Sequence, residues 1–91
     1  MALLVQKYGG TSVGSIVRIQ AVAEKVALAH ALGQQLVVTL SAMSGETNRL
    51  IALAGELHDK PSAREMDVLV STGEQVTIAL LCIALEKLGV D

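Results

Sequence analysis

The sequence predicts an α/β fold, a β-α-β-α-α series with parallel strands, and three observations carry that prediction. Two short runs, Leu3 to Tyr8 and Gln35 to Ser41, are rich in apolar and β-branched residues. The stretch between them places apolar residues at helical spacing. Two further helical patterns follow the second run without a third strand. Two strands joined by a helical crossover form a right-handed βαβ unit. Because a typical sheet has about five or six strands, this series reads as the first unit of a larger α/β sheet.

The first strand is Leu3 to Tyr8. Ser15 is a suitable N-cap for the first helix, which is expected to run to about Leu32, with Ile19, Val22, Val26 and Ala29 as its apolar stripe. Gly33 supplies the stop. In the second strand, Leu36-Val37-Val38-Thr39-Leu40 is nearly continuous in apolar or β-branched residues, the pattern of a parallel strand covered on both faces. A second helix starts near Ser44, with Leu50, Leu53, Ala54 and Leu57 as its buried stripe, and ends at His58-Asp59-Lys60-Pro61. Ser62-Ala63-Arg64-Glu65 is a capping-box pattern that opens a third helical region. Its expected face is Met66, Leu69, Val70, Gly73, Val76, Leu80 and Ile83, and it ends at Gly89. Ser71-Thr72-Gly73 is a candidate break, because glycine and hydroxyl residues weaken a helix interior. Val90-Asp91 reads as the approach to another strand.

Ninety-one residues allow one small domain with a modest core. Yet 52% of them are hydrophobic and the mean hydropathy is +0.54, so the chain is expected to carry apolar faces that need further layers of protein. A compact helical domain with a tight aliphatic core is the plainer alternative. The net charge of −2 and the lack of a Lys/Arg run give nucleic-acid binding no support. Cys82 cannot form an internal disulfide; it is expected to be a small core residue in a protein of the reducing cytoplasm. No targeting segment is expected, since Met-Ala-Leu-Leu-Val is too short and lacks a basic flank. The continuous apolar runs fall short of a membrane span.

The stretch with the most chemistry is Lys7-Tyr8-Gly9-Gly10-Thr11-Ser12-Val13-Gly14-Ser15, directly after the first strand. A cation, paired glycines and two hydroxyls at a strand end suit phosphate. Glycine lets an anion approach the backbone closely, and exposed N–H groups there and at the next helix start turn positive dipole ends toward it. Known phosphate loops fit poorly. A Walker A loop needs lysine directly after its last glycine, whereas Ser15 follows Gly14. The dinucleotide fingerprint fails on the spacing of Gly10 and Gly14. An ordinary strand-to-helix turn with a solvated lysine is the bland alternative. A second polar cluster, Ser41 to Arg49, follows the second strand. Ligands gather at the carboxyl ends of strands in open α/β sheets, so parallel neighbouring strands would bring both clusters to one rim. His30 and His58 have no partners at ligand spacing, and no protein metal site is expected.

Three strings together resemble the aspartate kinases of the amino acid kinase family. They are Lys7 to Ser15, Leu40-Ser41-Ala42-Met43-Ser44-Gly45-Glu46-Thr47-Asn48-Arg49-Leu50, and Asp67-Val68-Leu69-Val70-Ser71-Thr72-Gly73-Glu74-Gln75. Their order and approximate spacing also match, and the resemblance runs from Leu3 to Val90. Lys-x-Gly-Gly alone would fit several amino acid kinases; the Thr-Ser-Val-Gly-Ser and Ser-Gly-Glu-Thr-Asn continuations are more specific to this branch. Tyr8 stands where the family commonly has phenylalanine.

The resemblance implies a three-layer α/β/α sandwich with a mainly parallel sheet, of which residues 1–91 would be the N-terminal part of the catalytic domain. It implies transfer of a phosphoryl group from ATP to the side-chain carboxylate of L-aspartate, giving 4-phospho-L-aspartate, with Mg²⁺ bound along with ATP. This reaction opens the route to lysine, threonine and methionine. Lys7 would be catalytic and contact phosphate, with Tyr8, Gly9, Gly10, Thr11, Ser12 and Ser41 on the ATP side. Thr47, Asn48 and Arg49 would meet the amino-acid substrate, and Glu74 its ammonium group. A plain helix-approach hydroxyl for Ser41, a surface charge for Arg49 and a solvent-facing helix residue for Glu74 are the alternatives. Further catalytic lysine and aspartate residues, most of the adenine pocket and the regulatory ACT domains would lie in the rest of the parent protein, expected to be a homo-oligomer. The isolated chain is accordingly expected to be inactive. The alternative function is a non-catalytic phosphate-binding or assembly module that keeps a kinase-like beginning.

Overall fold

A computed structural model describes residues 3–90. The elements are β1 (Leu3–Tyr8), α1 (Ile16–Ala31), β2 (Gln35–Leu40), α2 (Glu46–Leu57) and α3 (Ala63–Lys87). This is the expected β-α-β-α-α series. The strands pair in parallel, from Leu3 opposite Gln35 to Tyr8 opposite Leu40. Their carboxyl ends therefore lie together. Asp91, half of the expected approach to a further strand, lies outside the described residues, as do Met1 and Ala2; Val90 has no regular structure.

The helix ends follow from local chemistry. Ser15 Oγ accepts from the Arg18 N–H at 3.2 Å, and Ser62 Oγ accepts from the Glu65 N–H at 3.3 Å, so both expected caps form. α1 and α3 close with the same paired bonds. The Gly33 and Gln34 N–H groups donate to the carbonyls of His30 and Ala29, and those of Gly89 and Val90 to Glu86 and Leu85. α2 differs from expectation. Its cap is Gly45, at φ 84°, with no side-chain bond to the helix. The chain needs a left-handed residue there, which glycine adopts without a Cβ clash, so the helix starts at Glu46 rather than near Ser44.

α3 is unbroken over 25 residues, so the expected interruption at Ser71-Thr72-Gly73 does not occur. Ser71 Oγ donates to the Val68 carbonyl at 2.8 Å and Thr72 Oγ1 to the Leu69 carbonyl at 2.6 Å, which returns both hydroxyls to their own helix. Gly73 is buried where α3 crosses the β2–α2 connection: a Cβ built there would stand 2.9 Å from Ala42 Cβ and 3.3 Å from Glu46 Cγ. Its cost in helix propensity is offset by that close approach. Gly73→Leu is expected to destabilise the chain by about 1–3 kcal/mol through overpacking. A urea midpoint unchanged by the substitution would contradict this packing.

The core lies on one face of the sheet. Val13, Ile19, Val22, Ala23, Val26, Leu40 and Leu81 form its buried cluster, with Tyr8, Leu36 and Val38 packed against it. α1 and α3 pack together and against β2, while α2 packs on α3. The other face of the sheet is open, with Val5 64% and Val37 49% exposed. The expectation that β2 is covered on both faces is thus corrected: within this chain all three helices stack on one side. The same stacking shifts two helical stripes. Leu50 and Ala54 of α2 are buried, but Leu53 is exposed and Leu57 is 89% exposed, since both line an open groove with Met66 and Leu69 of α3. In α3 the buried line is Gly73, Thr77 and Leu81, while Val76 and Ile83 face outward. Cys82, on that outward side, is exposed rather than a core residue. By length and composition α3 could also cross a bilayer, with a mean hydropathy of 1.8 over 18 residues. Short apolar runs hid this because the helix continues through Ser71-Gly73. Its packing against α1, α2 and β2 makes it a core helix.

Candidate functional site

The loop after β1 is built from tight turns. The Ser12 N–H donates to the Gly9 carbonyl at 3.0 Å and the Gly14 N–H to the Thr11 carbonyl at 3.3 Å. Val13, fully buried, pins this loop to the core. Sequence reasoning missed that anchor, although a lone valine among glycines and hydroxyls is its visible signal. Gly9, Thr11 and Ser12 remain exposed around it, and Gly10 is half-buried.

The loop after β2 lies directly against the first loop. The Ser41 N–H donates to the Tyr8 carbonyl at 3.0 Å and the Ser44 N–H to the Gly10 carbonyl at 3.1 Å. A Cβ on Gly10 would lie 2.9 Å from the Ala42 carbonyl oxygen and 3.3 Å from the Ser44 nitrogen. Glycine is required at this contact because backbone meets backbone. Gly9 has open space instead, with nothing within 4 Å of a Cβ built there.

α3 completes the rim. Thr77 Oγ1 donates to the Ser41 carbonyl at 2.9 Å, and Gly73 packs on Ala42. Glu74 lies between these two contacts and is exposed. Thr47 and Asn48 occupy the first turn of α2, Thr47 half-buried and Asn48 exposed. The structure therefore gathers the elements that carry Lys7 to Ser12, Ser41, Thr47 to Arg49 and Glu74.

Lys7 is exposed at the end of β1, opposite Thr39. The alternating burial of β1 puts it on the open face with Leu3 and Val5. Tyr8 faces the core, and its hydroxyl donates to Gln6 Oε1 at 3.0 Å. Among the described residues the only salt bridge joins Arg49 to Glu46, leaving Lys7 free of an ionic partner. Arg49 Nη2 donates to Glu46 Oε1 at 2.6 Å and Nε to Oε2 at 3.0 Å, a bidentate fork. These hydrogen bonds hold the Glu46 carboxyl below the usual carboxylate range and raise the Arg49 guanidinium. Arg49's fork is thus occupied by its own helix neighbour.

A βαβ unit with two glycine- and hydroxyl-rich loops interlocked at its carboxyl rim presents them where open α/β domains bind their ligands. The chain belongs to the amino acid kinase family, whose model matches residues 2–91. It is 69% identical over 90 residues to an aspartate kinase of Pseudomonas putida, and 52% identical over 91 residues to aspartokinase 2 of Bacillus subtilis. Each match covers 99% or more of this chain and 22% of the relative, so the chain spans about a fifth of their length. A crystal structure of aspartate kinase from Synechocystis superposes with a TM-score of 0.90 at 51% identity, covering 94% of this chain and 15% of that one.

Proposed function

We propose that residues 1–91 form the opening of an aspartate kinase catalytic domain and supply one side of its phosphoryl-transfer site. The observation that carries this reading is the interlock of the two loops, with Gly10 against Ala42 and Ser44, beside a Lys7 that has no ionic partner among the described residues. Transfer to L-aspartate forms a bond between a side-chain carboxylate oxygen and the γ-phosphorus of ATP, breaks the bond to the β–γ bridging oxygen, and releases ADP. The nucleophile is already ionised at neutral pH, so it needs no general base. Such a site needs positioning and positive charge. In this reading Lys7 neutralises the transferring group, while Gly9, Gly10, Thr11, Ser12 and Ser41 bind phosphate oxygens through N–H and hydroxyl groups, with Tyr8 supporting the loop. Thr47, Asn48 and Arg49 bound the aspartate pocket; for Arg49 this requires exchanging Glu46 for substrate carboxylate. Glu74 binds the substrate's ammonium.

Among the described residues no three His, Cys, Asp or Glu side chains cluster as a metal site. The donor set of Lys7, Gly9 to Ser12 and Ser41, made of a cation, N–H groups and hydroxyls, fits phosphate oxygens; Mg²⁺, bound along with ATP, would supply charge neutralisation there. The rest of the catalytic domain, regulatory domains, homo-oligomeric assembly and a cytoplasmic location belong to the same proposal.

Two results test it. In a full-length enzyme carrying this segment, Glu74→Ala is expected to lower kcat/KM for aspartate about ten- to a hundredfold, the worth of a charge-assisted hydrogen bond, with the KM for ATP nearly unchanged. Unaltered aspartate kinetics would remove Glu74 from the pocket. The 91-residue chain alone is expected to release no ADP in an aspartate-dependent way and to self-associate through its open apolar sheet face. Turnover by a monodisperse monomer, abolished by Lys7→Ala, would contradict this.

A further inference from the structure

Among the described residues Thr77 is the buried polar side chain of the core, with no exposed surface, and it lies between Gly73 and Leu81 on the buried line of α3. Its hydroxyl is 2.9 Å from the Ser41 carbonyl, 36 positions away in sequence, and 3.0 Å from the Glu74 carbonyl one turn back. The Glu74 carbonyl has the ordinary helical N–H partner four residues on. Among the described residues, the donor to the Ser41 carbonyl is Thr77. The Ser41 residue is thus held on two sides: its N–H bonds the Tyr8 carbonyl, where the glycine loop begins, and its C=O accepts from α3.

We propose that Thr77 is a positioning residue that sets the Glu74 turn of α3 against the two loops, and so fixes the amino-acid end of the site relative to its phosphate end. This rests on the aspartate kinase reading. Three features favour positioning over simple core filling. The bond is made to backbone at the rim, so it constrains the loop and not just a side chain. Gly73, one turn before Thr77, lets α3 approach closely enough for it, as the 2.9 Å Cβ distance to Ala42 shows. Glu74 lies between these two fixed points and has no ionic partner of its own among the described residues. A small shift of such a turn moves the carboxylate without unfolding the helix, and a displacement of about 1 Å can cost a hundredfold in rate.

The test uses a full-length enzyme carrying this segment, with Thr77→Val, Thr77→Ser and Glu74→Ala compared with the parent. Thr77→Val keeps the shape and removes the donor; Thr77→Ser keeps the donor and loses a methyl. The expected result is a fall in kcat/KM for L-aspartate of about tenfold or more in Thr77→Val, an ATP KM within about twofold of the parent, and recovery in Thr77→Ser. Should Thr77→Val not fold, Thr77→Ala removes the hydroxyl without pressing a methyl on the Ser41 carbonyl and carries the same expectation. A lowered melting temperature with unchanged kinetics, or equal losses toward ATP and aspartate, would overturn the positioning role. Aspartate kinetics altered by Glu74→Ala but not by Thr77→Val would also overturn it while leaving the site reading intact. Silence of Glu74→Ala itself would instead overturn the site reading, and the positioning role with it.

Discussion

Replacing Lys7 with alanine is expected to lower kcat for aspartate phosphorylation about a hundred- to a thousandfold while leaving the fold intact. The size follows from the loss of one preorganised positive group at a centre of developing charge. The intact fold follows from the structure. Lys7 is exposed one residue before the end of β1, and the only salt bridge among the described residues lies elsewhere. Truncating such a side chain normally shifts stability by less than about 0.5 kcal/mol. The measurement is a coupled ADP-release assay on a full-length enzyme carrying this segment, beside its thermal melt. A kcat within about threefold of the parent would show that Lys7 is only a solvated strand-end cation.

The second large effect separates two adjacent glycines. Gly10→Ala is expected to destabilise by about 1–3 kcal/mol, because its Cβ would meet the Ala42 carbonyl oxygen at 2.9 Å and backbone cannot rotate away as a side chain can. Pushing the loops apart also misplaces both halves of the site, so activity should fall about a hundredfold beyond any loss of folded protein. Gly9→Ala has space for its methyl and should leave stability within about 0.5 kcal/mol. If Gly9 serves phosphate approach, that variant should still weaken ATP binding. Denaturation and nucleotide titration of both variants check this. Equal stability losses at Gly9 and Gly10 would contradict the interlock of the loops.

The contrast shows what was legible in the sequence. Strands, crossover helix and caps were readable because Ser15, Ser62, Gly33 and Gly89 act through neighbours a few residues away. The rim was readable because parallel order places strand ends together. What escaped depends on contacts distant in sequence. Gly73 looked like a helix breaker until Ala42 and Glu46 were placed against it. Thr77 was not singled out in the sequence, because its partner, the Ser41 carbonyl, lies 36 positions away. The i, i+4 series Gly73, Thr77, Leu81 was the available sign of a close helix crossing. Cys82, Val76 and Ile83 were placed with the apolar pattern, but that pattern continues around more of α3 than this chain covers. At the site, Arg49 offered a carboxylate fork from sequence, and Glu46 three residues earlier already fills it.

The central claim is that the two interlocked loops hold phosphate while Glu74 faces the amino acid. A crystal structure of a full-length enzyme carrying this segment, bound to a non-hydrolysable ATP analogue and L-aspartate, tests it most directly. The account predicts the terminal phosphate within hydrogen-bond reach of Lys7 Nζ and the Gly9–Gly10 N–H groups, and the aspartate ammonium on the Glu74 carboxylate. Phosphates seated away from the β1 loop, or aspartate bound with Glu74 turned to solvent, would contradict it.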